Sequence, residues 1–439
     1  MNRLSLLVVG VATASVSLSA QQWPSWRGGD GTGLVQGADL PLAWSEAAGV
    51  SWRTRLVGTG VSTPVATGGR VFVTSQVGRG ERRQGNHPSL VQGADAATAG
   101  ERNLTGTAEA SALTFVVAAY AADTGRPMWE RRVAAAGPMP ALHDKHNMAS
   151  PSPVADESVV VAWFGTGQVV AYTPEGDERW SRHLGLEYGA FDIQWGHASS
   201  PALYGDTLVL VCYHASQSYV LALDKMTGRV RWKVDRAPGV LSYSTPLVID
   251  TAAGPEVIIN ASTGLEAVAL ADGALRWQVR DENRFPIPVA TRVGDTLLTT
   301  RGYRSGPYYA IRLGGRGDVT DSHVVWRIPT GAPYISSLVH VDGLIFAAGE
   351  LGIVTCLDAA TGERVWQERV GGIFTASPIA SSGRIYLLSE TGETVVLAAS
   401  RTFEVLARNR LDAHFVASPI AVDGRLILRA DNELIAVGR

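Results

Sequence analysis

The sequence is poor in charge, in cysteine and in long apolar runs, and each shortage excludes a class of protein. Charged residues make up 18% of the 439 residues, and the formal net charge is −3. Nucleic acids and anionic membranes bind proteins with a concentrated basic field, so the composition argues against both as partners. Beyond the N-terminus no apolar stretch is long enough to span a bilayer. No long segment repeats its apolar residues every 3.6 positions, which indicates an all-β chain.

Residues 1–20 have the pattern of an export signal. Arg3 supplies the positive charge, Leu4 to Leu18 form the apolar segment, and small residues precede Gln21 at the predicted cleavage point. No cysteine follows this point to accept a lipid. We therefore predict a monomeric periplasmic or secreted protein without a membrane anchor.

Six tryptophans recur at nearly regular intervals along the chain. The gaps between them are 51, 52, 45, 49 and 40 residues, a period typical of repeat architectures. Five of the six follow a glycine by four residues, as in GRVRW and GERVW, which predicts a tight turn leading into a strand. The six are Trp129, Trp180, Trp232, Trp277, Trp326 and Trp366.

A second motif marks the start of each repeat, as in STPVATGGRVFV and ASPIASSGRIYLL. Proline is tolerated at the first residue of a strand, and the Gly or Ser pair that follows turns the chain into a second strand. There are eight starts, so we predict that residues 21–439 form one domain, an all-β, eight-bladed β-propeller of four-stranded antiparallel blades. The starts lie at Pro64, Pro153, Pro201, Pro246, Ala290, Leu338, Pro378 and Pro419.

The last repeat is one strand short. Only 20 residues separate Pro419 from Arg439, whereas the third and fourth repeats need 31 residues from start to tryptophan. The segment Gly49 to Leu56 contains Trp52 but has no start motif of its own. We predict that this N-terminal strand completes the eighth blade and closes the ring, which removes two open sheet edges. In the seventh blade, the spacing gives Leu406 the tryptophan position.

The two cysteines, Cys212 and Cys356, fall in inner strands of the third and sixth blades. That separation is too large for a disulfide, so both are predicted to be buried apolar residues. Residues 76–113 interrupt the first blade with a Gly-, Ala- and Arg-rich stretch. It is too long for a hairpin turn, and we expect a surface loop insertion.

The segments ALDKMTGRVRW and CLDAATGERVW resemble the repeat of pyrroloquinoline-quinone (PQQ)-type propellers. That family includes quinoprotein alcohol dehydrogenases, the outer-membrane-protein assembly lipoprotein and many exported bacterial propellers, and the opening WPSWRGGDGTG is most similar to the last group. The resemblance covers Trp23 to Arg439 and implies the fold rather than an activity. In the dehydrogenase branch it implies a quinone held with calcium beneath two adjacent cysteines. This sequence has no adjacent cysteines and no CxxCH haem motif.

Residues just before the start motifs are predicted to ring one mouth of the central channel, a concave place of the kind that ligands favour. A mouth with the side chains found there suits a small polar aromatic ligand. The alternative is that the same side chains fill the channel together with ordered water. Counting four or five residues back from the starts, and four back from Pro151 in blade two, gives the candidate ligand-binding residues Asn147, His197, Ser242, Tyr334, Phe374, His414 and Phe415.

We predict a non-catalytic binding or scaffolding module whose partner is an unknown protein or small-molecule ligand. The alternative is a quinone-dependent oxidoreductase that acts on alcohols or sugars with PQQ and calcium as cofactors. No catalytic residue or metal ligand is assigned. His143 and His146 would bind zinc only with help from elsewhere in the chain, and GGDGTG at 28–33 is interpreted as a turn because no strand precedes it.

Overall fold

The structure, a computed structural model, describes residues 22–80, 112–303 and 306–439, together with the backbone of two short strands at Gly85–His87 and Arg102–Leu104. Eight four-stranded antiparallel blades form a β-propeller, which confirms the predicted fold. The predicted signal at 1–20 and most of the predicted loop at 76–113 lie outside the described residues.

Every blade runs from an innermost strand at the channel, through two middle strands, to an outermost strand. Each innermost strand begins one residue after a predicted start. In blades one to four the strands are Val65–Thr67, Arg70–Val77, Thr114–Ala121 and Pro127–Ala134; Val154–Ala155, Val160–Trp163, Gln168–Tyr172 and Glu178–His183; Ala202–Tyr204, Thr207–Tyr213, Ser218–Asp224 and Val230–Arg236; Leu247–Ile249, Glu256–Ala261, Gly264–Ala269 and Leu275–Arg280. In blades five to eight they are Thr291–Val293, Thr296–Thr300, Tyr308–Arg312 and Val324–Ile328; Val339–Val341, Leu344–Ala348, Ile353–Asp358 and Arg364–Arg369; Ile379–Ser381, Arg384–Leu388, Glu393–Ala398 and Val405–Arg410; Ile420–Val422, Arg425–Ala430, Glu433–Val437 and Val50–Arg55.

A few short elements lie outside this pattern. Leu34–Val35 pairs in parallel with the innermost strand of blade seven, and Gly317–Asp318 pairs in parallel with the outermost strand of blade four. Two single-turn helices span Leu184–Glu187 and Thr320–His323. Among the described residues, no helix has the length and hydropathy needed to cross a membrane.

The hydrophobic core lies between blades. The middle strand Thr207–Tyr213 is buried at every residue, whereas the outermost strand of the same blade, Val230–Arg236, has no buried residue. A middle strand packs on a neighbouring blade through both faces, which explains why its sequence is continuously apolar rather than alternating. Cys212 and Cys356 are both free and buried, as predicted, but they lie in middle strands of blades three and six rather than in inner strands.

The Gly–Trp spacing exists because all but one of these tryptophans donate a hydrogen bond to a turn of the next blade; Trp277 instead donates to Glu256 of its own blade. The indole Nε1 of Trp180 donates a hydrogen bond to the carbonyl of Lys225 in blade three at 2.9 Å. A Cβ atom on Gly228 in the same turn would lie 2.7 Å from the Trp180 ring, and Gly228 has a φ of +67°. Only glycine therefore fits between one blade's tryptophan and the next blade's backbone.

The ring closes as predicted. Val50–Arg55 pairs antiparallel with Glu433–Val437, and Trp52 takes the tryptophan position of the eighth blade opposite Ala436. In blade seven the register differs from the prediction by one residue, because Ala407 rather than Leu406 lies at the equivalent place, opposite Val396 just before the bulge.

Candidate functional site: the mouth of the central channel

The N-terminal segment 22–35 crosses the channel at the level of the innermost strands. Trp23 exchanges two backbone hydrogen bonds with Ala66 of blade one, at 2.8 and 2.7 Å. Pro24 accepts one from Ala155 of blade two, and Gly33 accepts one from Ala380 of blade seven. The segment thus joins blades on both sides of the channel and blocks it.

Arg27 fixes this segment to the far side of the ring. Its guanidinium donates to the carbonyls of Leu338 at 2.7 Å and Pro378 at 3.0 Å, which precede the innermost strands of blades six and seven. Burial lowers the pKa of Arg27 to about 10, although the nearby Asp30 raises it. The side chain therefore stays charged at neutral pH, and backbone carbonyls hold the charge.

Above this segment, hydroxyl groups form a belt around the channel. The residue one position before the predicted start is Ser or Thr in seven of the eight blades. Its side-chain oxygen accepts a hydrogen bond from the backbone N–H of the residue at the same position in the preceding blade, at 2.9 to 3.2 Å. We call these residues the hydroxyl ring. Val289 occupies the eighth place, in blade five. The members are Thr63, Ser152, Ser200, Thr245, Ser337, Ser377 and Ser418.

A cavity of about 210 Å³ lies between the segment at 22–35 and the mouth. Trp26 lines it from the segment, and six members of the hydroxyl ring, all except Ser337, line it from the blades. All eight residues three positions before the predicted starts also line it. These are Val61, Ser150, Ala198, Tyr243, Ile287, Ile335, Thr375 and Val416.

The two halves of the cavity differ in chemistry. The connections entering blades three to six contribute Trp195, Tyr243, Phe285 and Tyr334, which belong to one buried apolar cluster. The ring centroids of Trp195 and Phe285 are 6.5 Å apart in an edge-to-face arrangement. Aromatic rings prefer such contacts to face-to-face stacking, and they leave ring faces and edges for a further aromatic group. The opposite half carries small aliphatic and hydroxyl side chains together with His143, Lys145 and His146.

Of the seven predicted site residues, the structure places Tyr334 in the cavity lining and the other six outside it. Most of the lining consists of residues one or three positions before a start, whereas most residues four positions before a start lie outside it. Phe374 and Phe415 are fully buried in the core between blades. Ser242 donates to the carbonyl of Asn260 at 2.7 Å.

The remaining predicted residues have other partners. Asn147 donates to the carbonyl of Thr59 at 3.2 Å. His197 is fully buried, with its Nδ1 3.2 Å from Nε2 of His214. Burial and the neighbouring His214 hold the pKa of His197 well below its usual range, so this pair is uncharged at neutral pH. Their roles in ligand binding stay predictions.

An ion pair across the mouth, which the sequence did not reveal, links the connection before blade two to blade seven. Lys145 Nζ lies 2.8 Å from both carboxylate oxygens of Glu390, 245 residues away. Burial alone would raise the pKa of Glu390, but the nearby His414 and hydrogen bonds from Lys145 and Thr375 outweigh it and lower the pKa to about 2.

His414 extends this network to the eighth blade. Its Nδ1 lies 3.0 Å from Asp431, and its Nε2 lies 3.9 Å from Glu390. Hydrogen bonds to Asp431 and Glu390 raise the pKa of His414 to about 9. The histidine is therefore a cation at neutral pH and balances one of the two carboxylates.

The lining does not fit a quinone held with calcium. Calcium takes six to eight oxygen ligands, usually including carboxylates. The described residues that line the cavity include no carboxylate, and within the described part of the chain no three His, Cys, Asp or Glu side chains are grouped to hold a metal. His146 lines the cavity, but burial lowers its pKa to about 4, so it is neutral at pH 7.

Curated relatives match part of the chain. The "outer membrane protein assembly factor BamB" of Yersinia pestis is 28% identical over 204 residues, which is 42% of this chain and 47% of that protein. The protein of the same name from Moranella endobia (strain PCIT) is 26% identical over 239 residues, which is 51% of this chain and 58% of that protein. The chain thus spans about half the length of the curated relatives it matches.

Solved structures share the fold at lower identity. BamB from Moraxella catarrhalis superposes with a TM-score of 0.55 at 15% identity, covering 76% of this chain and 94% of that one. A europium-containing methanol dehydrogenase gives a TM-score of 0.64 at 10% identity, covering 95% and 98%. Quinohemoprotein alcohol dehydrogenase from Comamonas testosteroni gives 0.62 at 12% identity, covering 95% and 81%.

The family model described as outer membrane protein assembly factor BamB matches residues 114–296 and 350–438. These ranges contain all four strands of blades two, three, four and seven, the two outer strands of blades one and six, and the three C-terminal strands of blade eight. More than half of the chain is therefore matched, including the five Gly–Trp turns and the strand Glu433–Val437, with which the closing strand pairs. The chain is a PQQ-like β-propeller and belongs to the outer membrane protein assembly factor BamB family.

Proposed function

We propose that this protein is an exported, non-catalytic binding module that takes an aromatic group into the cavity at the channel mouth. The aromatic group belongs to a small-molecule ligand or to a side chain of a protein partner. The proposal includes the periplasmic or secreted location expected from residues 1–20 and a monomeric ring.

The observation that carries the proposal is that aromatic side chains line one side of the cavity, whose inner end is closed by the N-terminal segment. Trp195, Tyr243, Phe285 and Tyr334 come from four consecutive blade connections, and Trp26 closes the end. A cavity of roughly 150 Å³ lined by apolar side chains holds benzene. A volume of about 210 Å³ therefore accommodates an aromatic group larger than benzene.

The family relationship supports a binding role. Both curated relatives are named as assembly factors rather than as enzymes. The likeness to the two dehydrogenases is a likeness of fold at 10% and 12% identity. The alternative function, a quinone-dependent oxidoreductase, draws no support from the cavity lining, which offers no carboxylate among its described residues for calcium.

The proposal is tested by filling the cavity. Ala198 lines it and is partly exposed, so Ala198→Trp places an indole where the ligand binds. Isothermal titration calorimetry with 2-acetonaphthone, a neutral bicyclic ketone, should show saturable binding to the native protein and none to this variant. Ala253→Trp, at an exposed turn of blade four, is the matched control and should bind normally. No saturable binding to the native protein, or equal binding to Ala198→Trp, would disprove the site.

A further inference from the structure

We infer that the hydroxyl ring recognises a hydrogen-bond-accepting group on the ligand, so that the site takes an aromatic carboxylate or ketone and rejects an aromatic ammonium. The inference rests on the proposed function, because it assigns the polar end of the ligand whose aromatic end meets Trp195, Tyr243 and Phe285. It names Thr63, Ser152, Ser200, Thr245, Ser377 and Ser418 as the donors.

The hydrogen bonds of the ring leave its protons unused. A hydroxyl group has one proton to donate and two lone pairs to accept with. Each ring oxygen accepts from the backbone N–H of the preceding blade, for example Ser377 from Ser337 and Ser418 from Ser377, both at 2.9 Å. Within the part of the chain that the structure describes, these hydroxyls are found only as acceptors.

The unused hydroxyl protons can point into the cavity. Six ring hydroxyls line the cavity, and each has already bound a backbone donor on its blade-facing side. Their O–H bonds are therefore free to turn inward, toward a ligand or toward ordered water. An oxygen acceptor placed in the cavity can receive several of them at once, whereas an ammonium group can use only the second lone pair of each hydroxyl and meets a described lining that has the cation Lys145 and no carboxylate.

The charges around the cavity agree with this polarity. Lys145 lines the cavity, and the carboxylate of Glu390 that pairs with it is not part of the lining. Since the described lining has no carboxylate, a cationic ligand meets no opposite charge at its surface. His143 and His146 also line this end.

Three naphthalene probes test the inference in the full-length protein by calorimetry at pH 7. They share the same bicyclic ring and differ in the substituent, which is a carboxylate in 2-naphthoate, a ketone in 2-acetonaphthone and an ammonium in 2-naphthylmethylamine. We expect the first two to bind at least about tenfold more tightly than the third, the ratio for one net hydrogen bond. The neutral ketone separates the effect of the hydroxyls from that of Lys145.

The ring itself supplies the matched control. Ser377→Ala and Ser337→Ala each remove a hydroxyl that accepts from a backbone N–H at 2.9 Å, but only Ser377 lines the cavity. Ser377→Ala should weaken 2-acetonaphthone binding by about tenfold. Ser337→Ala should leave binding unchanged, and thermal melting should show that both variants fold.

The outcomes distinguish this inference from the proposed function. If all three probes bind equally, or if Ser377→Ala binds like Ser337→Ala, ordered water satisfies the ring and the inference is wrong, while the aromatic site stands. If none of the probes binds, both are wrong. A preference for the ammonium probe would overturn the inference directly.

Discussion

The side-chain hydroxyl of Thr63 accepts a hydrogen bond from the backbone N–H of Ser418 at 3.2 Å, and this contact joins the eighth blade to the first at the channel. At the perimeter, Val50–Arg55 pairs with Glu433–Val437 within blade eight. Trp52 on that strand donates to the carbonyl of Ala122 in blade one at 3.2 Å. The ring is therefore fastened along both its inner and its outer circumference.

Two truncations separate the closing strand from the channel segment. Removing the chain through Arg55 exposes the edge of Glu433–Val437 and should cause aggregation or a large fall in the melting temperature. Removing it only through Asp39 deletes Arg27 but keeps the closing strand, so the protein should stay monomeric with a smaller fall. Size-exclusion chromatography and thermal melting check both. A monomeric Arg55 truncation with an unchanged melting temperature would contradict the pairing.

Two glycine substitutions test the blade contact. Gly205 has a φ of +54° and no atom within 4 Å of an added Cβ, so Gly205→Ala should cost only the backbone strain of about 1–2 kcal/mol. Gly228→Ala adds a clash with Trp180 and should cost about 1–3 kcal/mol more. Urea denaturation measures the free energy of unfolding of both variants. Equal losses would show that the Trp180 indole does not constrain Gly228.

The network of Lys145, Glu390 and His414 predicts a pH window of stability. The pKa of Glu390 is lowered from 4.5 to about 2, so its stabilisation is present above pH 4.5 and is lost as pH falls toward 2. The pKa of His414 is raised from 6.5 to about 9, so its stabilisation is present below pH 6.5 and is lost as pH rises toward 9. The network contributes most between pH 4.5 and 6.5.

Melting temperatures of the native protein and of His414→Gln, measured from pH 6 to 9, check this window. The native protein should lose stability across this range, and the variant should start lower and lose less. Since His414 is half exposed, the effect should shrink with added salt. Parallel curves for the two proteins would refute the assignment.

Dehydrogenase activity should be absent. With PQQ and calcium supplied, dye reduction with alcohols or sugars should stay at background, because the described cavity lining lacks a carboxylate. Robust turnover that disappears in His197→Ala or Asn147→Ala would reverse the proposal in favour of an enzyme.

The blades and their closure could be predicted because each repeat carries its own local signals. The start prolines, the Gly–Trp turns and the orphan Trp52 each report a contact within one blade or with its neighbour. The cavity lining depends on a finer property, since a shift of one residue along a strand moves a side chain from the channel to the core. Counting four residues back gave Phe374 and Phe415, which are buried, whereas three residues back gives Thr375 and Val416, which line the cavity.

Other features had no local signal. Lys145 and Glu390 are 245 residues apart, and only the closed ring brings them together. The connection between Ala398 and Val405 in blade seven is one residue longer than that between Asp358 and Arg364 in blade six, so the tryptophan position falls at Ala407 rather than at Leu406.

The absence of a hydroxyl at Val289 has a consequence for symmetry. A ring of eight equal donors would present a bound molecule with eight equivalent orientations, and none would be preferred. Val289 at the fifth blade and Ser337 at the sixth, which does not line the cavity, leave two adjacent positions without a donor, on the same side as the aromatic group Phe285. The ring of hydroxyls is therefore not eightfold symmetric, and a ligand can bind it in one preferred orientation.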